Sequence, residues 1–300
     1  MKTLITGSTG LLGPSLSRRL VALGEVTGLS RRAPSGSVSG RHVVCDLLDA
    51  RRTAEVIRDC RPDVVIHAQA LSDVDQCERE PALADALNVT AIRHVLRALE
   101  GTGALVVYVS TDYVFDGTKA APYDERDEPR PISVYGRSKL AGERVALAAP
   151  RSIVVRTSTL FGSGRMNFCD HIVGRLTAGE PVEAFADQVT SPTYSEDLAD
   201  GLARLSETVR DSWSEQGPRV FHVASAGSCS RVEFARRVAD LLGAPRTLVC
   251  GIPMAQQRRP ALRPAYSALT TVHVKQTMGR MLRPWDEALA AYLRQRRWLG

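Results

Sequence analysis

A doubly wound parallel α/β sheet followed by a smaller mixed α/β carboxyl-terminal lobe is the fold class that this sequence predicts. Three observations carry it. Short apolar runs alternate with helical stretches through about residue 150, the pattern of strands joined by crossover helices. Several runs, Val64 to His67 among them, are apolar throughout rather than alternating, as strands covered on both faces are. The first run leads directly into Gly7, Gly10 and Gly13, with a helical stretch immediately behind them.

Thr3-Leu4-Ile5-Thr6 is the first strand, and a helix follows from about Leu12 to Leu23. Between them, Gly7-Ser8-Thr9-Gly10-Leu11-Leu12-Gly13 has the context of a dinucleotide-binding turn. Gly7 permits the tight turn, Gly10 lets backbone approach a pyrophosphate, and Gly13 lets the helix pack on the sheet. The helix amino terminus then offers free N–H groups to the phosphates. A second strand, Glu25 to Ser30, ends in Ser30-Arg31-Arg32. An NAD site usually places an acidic residue here; two arginines instead suit the 2′-phosphate of NADPH (NADP+). The alternative is that Arg31 and Arg32 simply begin an exposed loop from Ala33 to Gly40.

The third strand, Arg41 to Cys45, ends in Asp46-Leu47, where the aspartate could meet the adenine amino group. Helix Ala50 to Arg61 leads to strand Asp63 to His67, which continues as Ala68-Gln69-Ala70 beside the cofactor. His67 reads as a packed histidine. Asp73 and Asp75 begin a loop, and Pro81 opens a helix running to about Glu100. On it, Asn88 either braces backbone near the cofactor or faces solvent.

Ala104 to Val109 is the next buried strand, and it ends in Ser110-Thr111-Asp112-Tyr113. Ser133 to Leu147 has helical composition, and its Tyr135 and Lys139 are one turn apart on one face. A lysine beside a tyrosine stabilises the phenolate and so lowers its pKa, which suits the phenol to exchange a proton with an alkoxide. Thr111, at a strand's carboxyl end, is placed to hold a substrate carbonyl. These three are the candidate catalytic residues.

Strand Ser152 to Arg156 follows, then a less regular region. It contains helices Asn167 to Ala178, Asp197 to Glu207 and Arg231 to Leu242, a strand Val220 to Ala224, and a last helix from about Pro284. Residues 1–157 are read as the NAD(P)-binding domain and 158–300 as a substrate lobe, with the chain recrossing between them.

Composition narrows the class. The chain is 44% hydrophobic and 24% charged, and no apolar run is long enough to span a bilayer. The strand beginning at Thr3 leaves no room for a signal peptide. Six scattered cysteines without C-x-x-C fit reduced thiols in the cytoplasm, with no metal site. The net charge of +6 comes with only short, dispersed arginine groups, which favours anionic small ligands over nucleic acid.

On these residues the chain resembles an extended short-chain dehydrogenase/reductase with a Rossmann domain. Within that superfamily it resembles the dTDP-4-dehydrorhamnose reductase group. The likeness is carried by Thr6-Gly7-x-x-Gly10-x-x-Gly13, Val74-Asp75, Ser110-Thr111-Asp112-Tyr113-Val114-Phe115-Asp116-Gly117 and Tyr135-Gly136-x-Ser138-Lys139. It continues through Arg156-Thr157-Ser158, Asp187-Gln188-x-x-Ser191-Pro192-Thr193 and Arg263-Pro264-x-x-Ser267.

The resemblance implies hydride transfer from NADPH to the C4 keto group of a nucleotide-linked 6-deoxyhexose, by a monomer or homodimer. It implies that Thr111 and Tyr135 bind the reacting oxygen, that Tyr135 protonates it, and that Lys139 holds the nicotinamide ribose. Val74, Asp112 and Tyr113 would border the sugar, with Arg165 and Gln188 part of the same site. Arg263 and Ser267 would lie near the diphosphate, although an arginine beside Pro264 can also merely cap a turn. Thr159 stands where the group often has tryptophan against the sugar, and Tyr266 where it has asparagine, so the sugar itself is left open. Two other readings stay open. One is a regulatory NADP-binding subunit like the methionine adenosyltransferase β subunit. The other is a sugar-nucleotide epimerase or dehydratase, which Arg31-Arg32 and Tyr113 disfavour.

Overall fold

The computed structural model describes residues 1–36 and 38–299; Ser37, within the expected exposed loop, and Gly300 lie outside it. The amino-terminal half runs β1 (Lys2–Thr6), α1 (Gly13–Leu20), β2 (Glu25–Ser30), β3 (Arg41–Val44), α2 (Ala50–Cys60), β4 (Val64–His67), α3 (Val74–Arg79), α4 (Pro81–Asp85), α5 (Ala91–Ala98), β5 (Leu105–Thr111), α6 (Val134–Ala148) and β6 (Ser152–Thr157). Then come β7 (Leu160–Phe161), α7 (Phe168–Thr177), β8 (Val182–Phe185), β9 (Val189–Thr190), β10 (Thr193–Tyr194), α8 (Ser195–Asp211), β11 (Val220–His222), β12 (Cys229–Ser230), α9 (Arg231–Leu242), β13 (Val249–Ile252), α10 (Val272–Met278) and α11 (Trp285–Gln295).

Seven strands form one sheet in the order β11-β6-β5-β4-β1-β2-β3. Every pairing in it is parallel. Period-two alternation sends Ile5, Ile66, Val107 and Val155 to one face, under α1 and α8. Leu4, Val65, Val106 and Val154 go to the other, under α2 and α5. Chain order reverses between β1 and β4, which opens a crevice at their carboxyl ends. Strand β11, far along the sequence, returns to pair with β6 in register Val220↔Val154 to His222↔Arg156.

The rest of the second half has its own core around Phe161, Ile172, Leu176, Phe234 and Tyr292. Its strands form three two-stranded pairs: β7 with β10, β9 with β12 and β8 with β13.

Two elements depart from the sequence reading. The stretch after Asp73 is helical, because Asp73 caps α3 by accepting from the Gln76 N–H at 2.9 Å. The helix expected from Pro81 to Glu100 is interrupted by a π turn at Ala86–Thr90. Asn88 sits in that turn with both ends of its amide engaged. It accepts from Leu71 N at 2.7 Å and donates to Leu71 O at 3.2 Å and to Ser138 Oγ at 2.9 Å. The bracing alternative for Asn88 is therefore the one the structure contains. Among the described residues no helix is long and apolar enough to cross a membrane, and no group of side chains could hold a metal.

Candidate active site

The glycine turn follows β1 at the crevice. Gly7 has φ +70°, and a Cβ there would stand 2.8 Å from Gln69 Cα. A Cβ on Gly13 would be 2.2 Å from Ser8 O, so α1 can start this close to the turn only as glycine. Thr9, Gly10 and Leu11 keep accessible surface, whereas Leu12 turns into the core. Ala68 and Gln69 lie half-buried against the turn, and the half-buried Ala70 follows them. Thr6 ties this edge together, its hydroxyl receiving Gln69 N at 3.3 Å and lying 3.1 Å from His67 Nδ1. His67 is fully buried and stacked on Tyr108, and burial lowers its pKa to about 3, so the ring is neutral.

At the end of β2, Ser30 donates to Arg32 O at 2.7 Å, while Arg31 and Arg32 are exposed and, among the described residues, meet no carboxylate. Asp46 is exposed at the end of β3, where it receives Leu48 N, and Leu47 is buried in the core. A neutral turn beside a helix start, with free cations one strand away, fits a phosphorylated dinucleotide.

Thr111 closes β5. Its hydroxyl receives the Tyr113 N–H and donates to Asp112 Oδ1 at 3.1 Å, and it opposes the rise that burial gives the Tyr135 pKa. Tyr135 and Lys139 lie on α6, which Ser133 caps by accepting from Gly136 N. Glu78 of α3 meets the same helix start, accepting from Val134 N at 3.0 Å.

The electrostatics differ from the simple pairing of lysine and tyrosine. Burial pushes the Tyr135 phenol well above its usual range, although part of its ring is accessible. Burial lowers Lys139 to about 7, opposed by the nearby Glu143 and Cys77. Lys139 donates to Val109 O at 2.7 Å and rests 4.2 Å from the Tyr108 ring centroid. The lowered pKa thus belongs to the lysine, not to the tyrosine.

Beneath this group are two buried carboxylates. Glu143 receives Ser110 Oγ at 2.5 Å and pairs with Arg156 through Nε at 3.0 Å and Nη2 at 2.8 Å. Among the described residues the Asp112 carboxylate has hydroxyl partners only: Thr111, Ser158 Oγ at 2.8 Å and Ser267 Oγ at 2.5 Å. Burial raises the Asp112 pKa, and these three hydroxyls oppose the rise. Asp112 and the fully buried Ser267, read from sequence as lining the sugar and diphosphate, are therefore under the site, spent on each other.

Across the cleft lies a cavity of about 330 Å³ with Tyr113, Gln188, Arg231, Arg259 and Arg263 on its polar side and Phe168, Ile172 and Phe185 on its apolar side. Tyr113 belongs to both halves. Its ring is edge-on to Tyr135, with centroids 5.8 Å apart, and its hydroxyl accepts from Gln188 Nε2 at 3.1 Å. Val74, at the start of α3, is half-buried.

Arg263 makes a bidentate pair with Asp75, at 3.1 and 2.8 Å. That pairing holds the Asp75 pKa down, against burial, which pushes it up. Much of the charge assigned to a diphosphate is thus committed within the protein. Arg231 was not singled out from sequence. It stacks on Phe168 at 4.6 Å and donates to Thr159 Oγ1 at 3.2 Å, and its Nη1 is buried without a partner among the described residues. Thr159 has φ +37°, a strained conformation for a β-branched residue. It supports Arg231 rather than standing alone against a ligand. Arg165 is exposed in the segment before α7 and is not among the residues lining this cavity.

Fold and site together define an NAD(P)-linked oxidoreductase of the extended short-chain dehydrogenase/reductase class. A family model described as the RmlD substrate binding domain matches residues 1–297, and the chain belongs to this family. It is 38% identical over 299 residues to a dTDP-4-dehydrorhamnose reductase of Mycobacterium tuberculosis, covering 97% of this chain and 92% of the relative. It is 33% identical over 299 residues to the spore coat polysaccharide biosynthesis protein SpsK of Bacillus subtilis, covering 98% of each. The crystal structure of dTDP-4-dehydrorhamnose reductase from Bacillus anthracis in complex with NADP superposes with a TM-score of 0.88 at 30% identity, covering 98% of this chain and 100% of that one.

Proposed function

We propose that this protein uses NADPH to reduce the C4 keto group of a nucleotide-linked 4-keto-6-deoxyhexose, in deoxysugar biosynthesis. The observation that carries the reading is the position of Tyr113, which touches Tyr135 on one side and lines the arginine cavity on the other. A carbonyl at Tyr135 and an anionic group at Arg231 therefore fit one extended substrate. The names of the relatives and the NADP in the Bacillus anthracis structure support the same chemistry.

NADPH, when bound on the glycine turn, supplies the hydride. Thr111 and Tyr135 hold the reacting oxygen, and Tyr135 gives it a proton. Burial keeps that proton on the phenol through neutral pH, which suits an acid in the reducing direction. Lys139 would hold the nicotinamide ribose. Val74, Tyr113 and Gln188 border the sugar, and Arg231 with the exposed Arg259 carries the diphosphate, while Arg263 sets the wall by holding Asp75. Binding energy from the diphosphate then orients a sugar that has little apolar surface of its own. In this reading residues 1–157 form the cofactor domain with the catalytic Thr111, Tyr135 and Lys139, and 158–300 form the substrate lobe that closes on it. One chain holds the whole site, as a cytoplasmic monomer or homodimer.

The test is to follow nicotinamide absorbance with NADPH and a panel of nucleotide-linked and free 4-keto sugars. Turnover should require the nucleotide. Equal rates on free sugars would remove the diphosphate anchor. Tight NADPH binding without turnover, together with co-purification of another enzyme, would replace the reading with a regulatory subunit.

A further inference from the structure

We infer that Arg165, contributed by the second half of the chain, is the cation that meets the cofactor pyrophosphate and closes the glycine turn from the opposite side. The inference rests on the reading that NADPH binds at that turn.

The turn itself offers no charge. From Gly7 to Leu16 the sequence has no ionisable side chain. The arginines further along α1 are already engaged, Arg18 with Glu196 and Arg19 with Asp200. Backbone N–H groups and the helix start favour an anion here, but no side chain from Gly7 to Leu16 supplies a counter-cation for its two negative charges.

The segment Gly162–Met166 lies over this place. A Cβ on Gly164 would be 3.4 Å from Pro14 Cγ, 3.6 Å from Leu11 O and 3.7 Å from Gly10 O, which is ordinary contact with the turn. The segment is held at both ends. Ser163 Oγ donates to Gln295 Oε1 at 3.1 Å, and Asn167, the cap of α7, donates to Gly162 O at 2.8 Å.

Arg165 stands one residue from the contact. It is exposed, and among the described residues its guanidinium makes no ion pair, so a long cationic side chain is left free beside a neutral phosphate cradle. Met166 next to it is 88% exposed. A guanidinium can bind phosphate oxygens through two parallel N–H bonds. The family resemblance grouped Arg165 with the sugar; its segment instead contacts the cofactor turn.

The experiment titrates NADPH, by its fluorescence, into wild-type protein, Arg165→Ala and Arg165→Lys. In parallel, dTDP is titrated calorimetrically into each protein without cofactor. Arg165→Ala should raise the NADPH Kd about tenfold, Arg165→Lys should recover part of that, and dTDP affinity should stay unchanged. The gap between wild type and Arg165→Ala should narrow as salt is raised. An unchanged NADPH Kd in Arg165→Ala would overturn the inference while leaving the cofactor reading intact. So would a loss confined to dTDP, which would return Arg165 to the substrate. Wild-type protein that binds dTDP but not NADPH would overturn both.

Discussion

Thr111, Tyr135 and Lys139 sit on a strand and a helix whose neighbours are fixed by parallel pairing, β5 being matched residue by residue with β6 from Val106↔Ser152 to Thr111↔Thr157. Across the cleft, Arg231 and Arg263 are aimed by a few side-chain contacts with distant segments, Arg231 by Thr159 and Gln188 and Arg263 by its bidentate pair with Asp75. The rims also differ in charge. Glu143, on the catalytic helix, has an arginine partner, whereas Asp112, where the two rims meet, has hydroxyls from three segments and, among the described residues, no ion pair. The sheet edge is therefore built to hold reacting atoms in place, and the lobe to hold charge. Variants on the two rims should separate in kinetics, with losses in kcat on one side and in KM on the other.

The largest separation is expected from Tyr135→Phe. The ring and its edge contact with Tyr113 are kept, and only the group acting on the reacting oxygen is lost. Turnover of the nucleotide-linked substrate should fall roughly 10²–10⁴-fold, with NADPH affinity almost unchanged in a fluorescence titration. A variant with near-normal kcat would remove the phenol from the chemistry and break the division between the rims.

Arg231→Ala tests the other side. A hydrogen bond to a charged group is worth about 1.5–3 kcal/mol, so KM should rise roughly 10- to 100-fold, with a smaller change in kcat. Arg263→Ala sharpens the comparison. Because Arg263 is paired with Asp75, that variant should lose stability in urea as well as affinity, leaving a carboxylate without its partner. If Arg263→Ala costs more in KM than Arg231→Ala at unchanged stability, the anchor is Arg263 after all.

The two rims were unequally legible in the sequence. The glycine turn and the Tyr135–Lys139 pair are local patterns, set by a few residues whose spacing already implies a turn or one helix face. Arg231 has no such pattern. Its partner Thr159 is 72 residues away, and Asp75 is 188 residues from Arg263, so neither contact leaves a spacing to read. The strain at Thr159 is likewise a property of backbone, invisible in the residue type. Within the fold, Asp73 was a legible cap that a loop reading passed over. The π turn depends on Asn88 finding Leu71 and Ser138, which only the assembled sheet supplies.

The same limit explains the reversed electrostatics of the catalytic pair, and it carries the last prediction. Side by side on a helix, a lysine and a tyrosine suggest a lowered phenol pKa, because spacing shows the charge but not the burial. In the fold, burial dominates both groups: it raises Tyr135 and lowers Lys139 to about 7, with Glu143 and Cys77 pulling the lysine back up and neutral His67 adding no charge. The sign follows directly. Lys139 is cationic below that value and neutral above it, while Tyr135 keeps its proton across the whole interval. A rate that needs the cationic lysine should therefore fall as pH rises through about 7, approaching about tenfold per unit on the alkaline side. In a kcat/KM profile for reduction, Lys139→Met should flatten this limb at a low rate. If the limb persists in Lys139→Met, it belongs to the phenol, and the pair behaves as its spacing alone suggested.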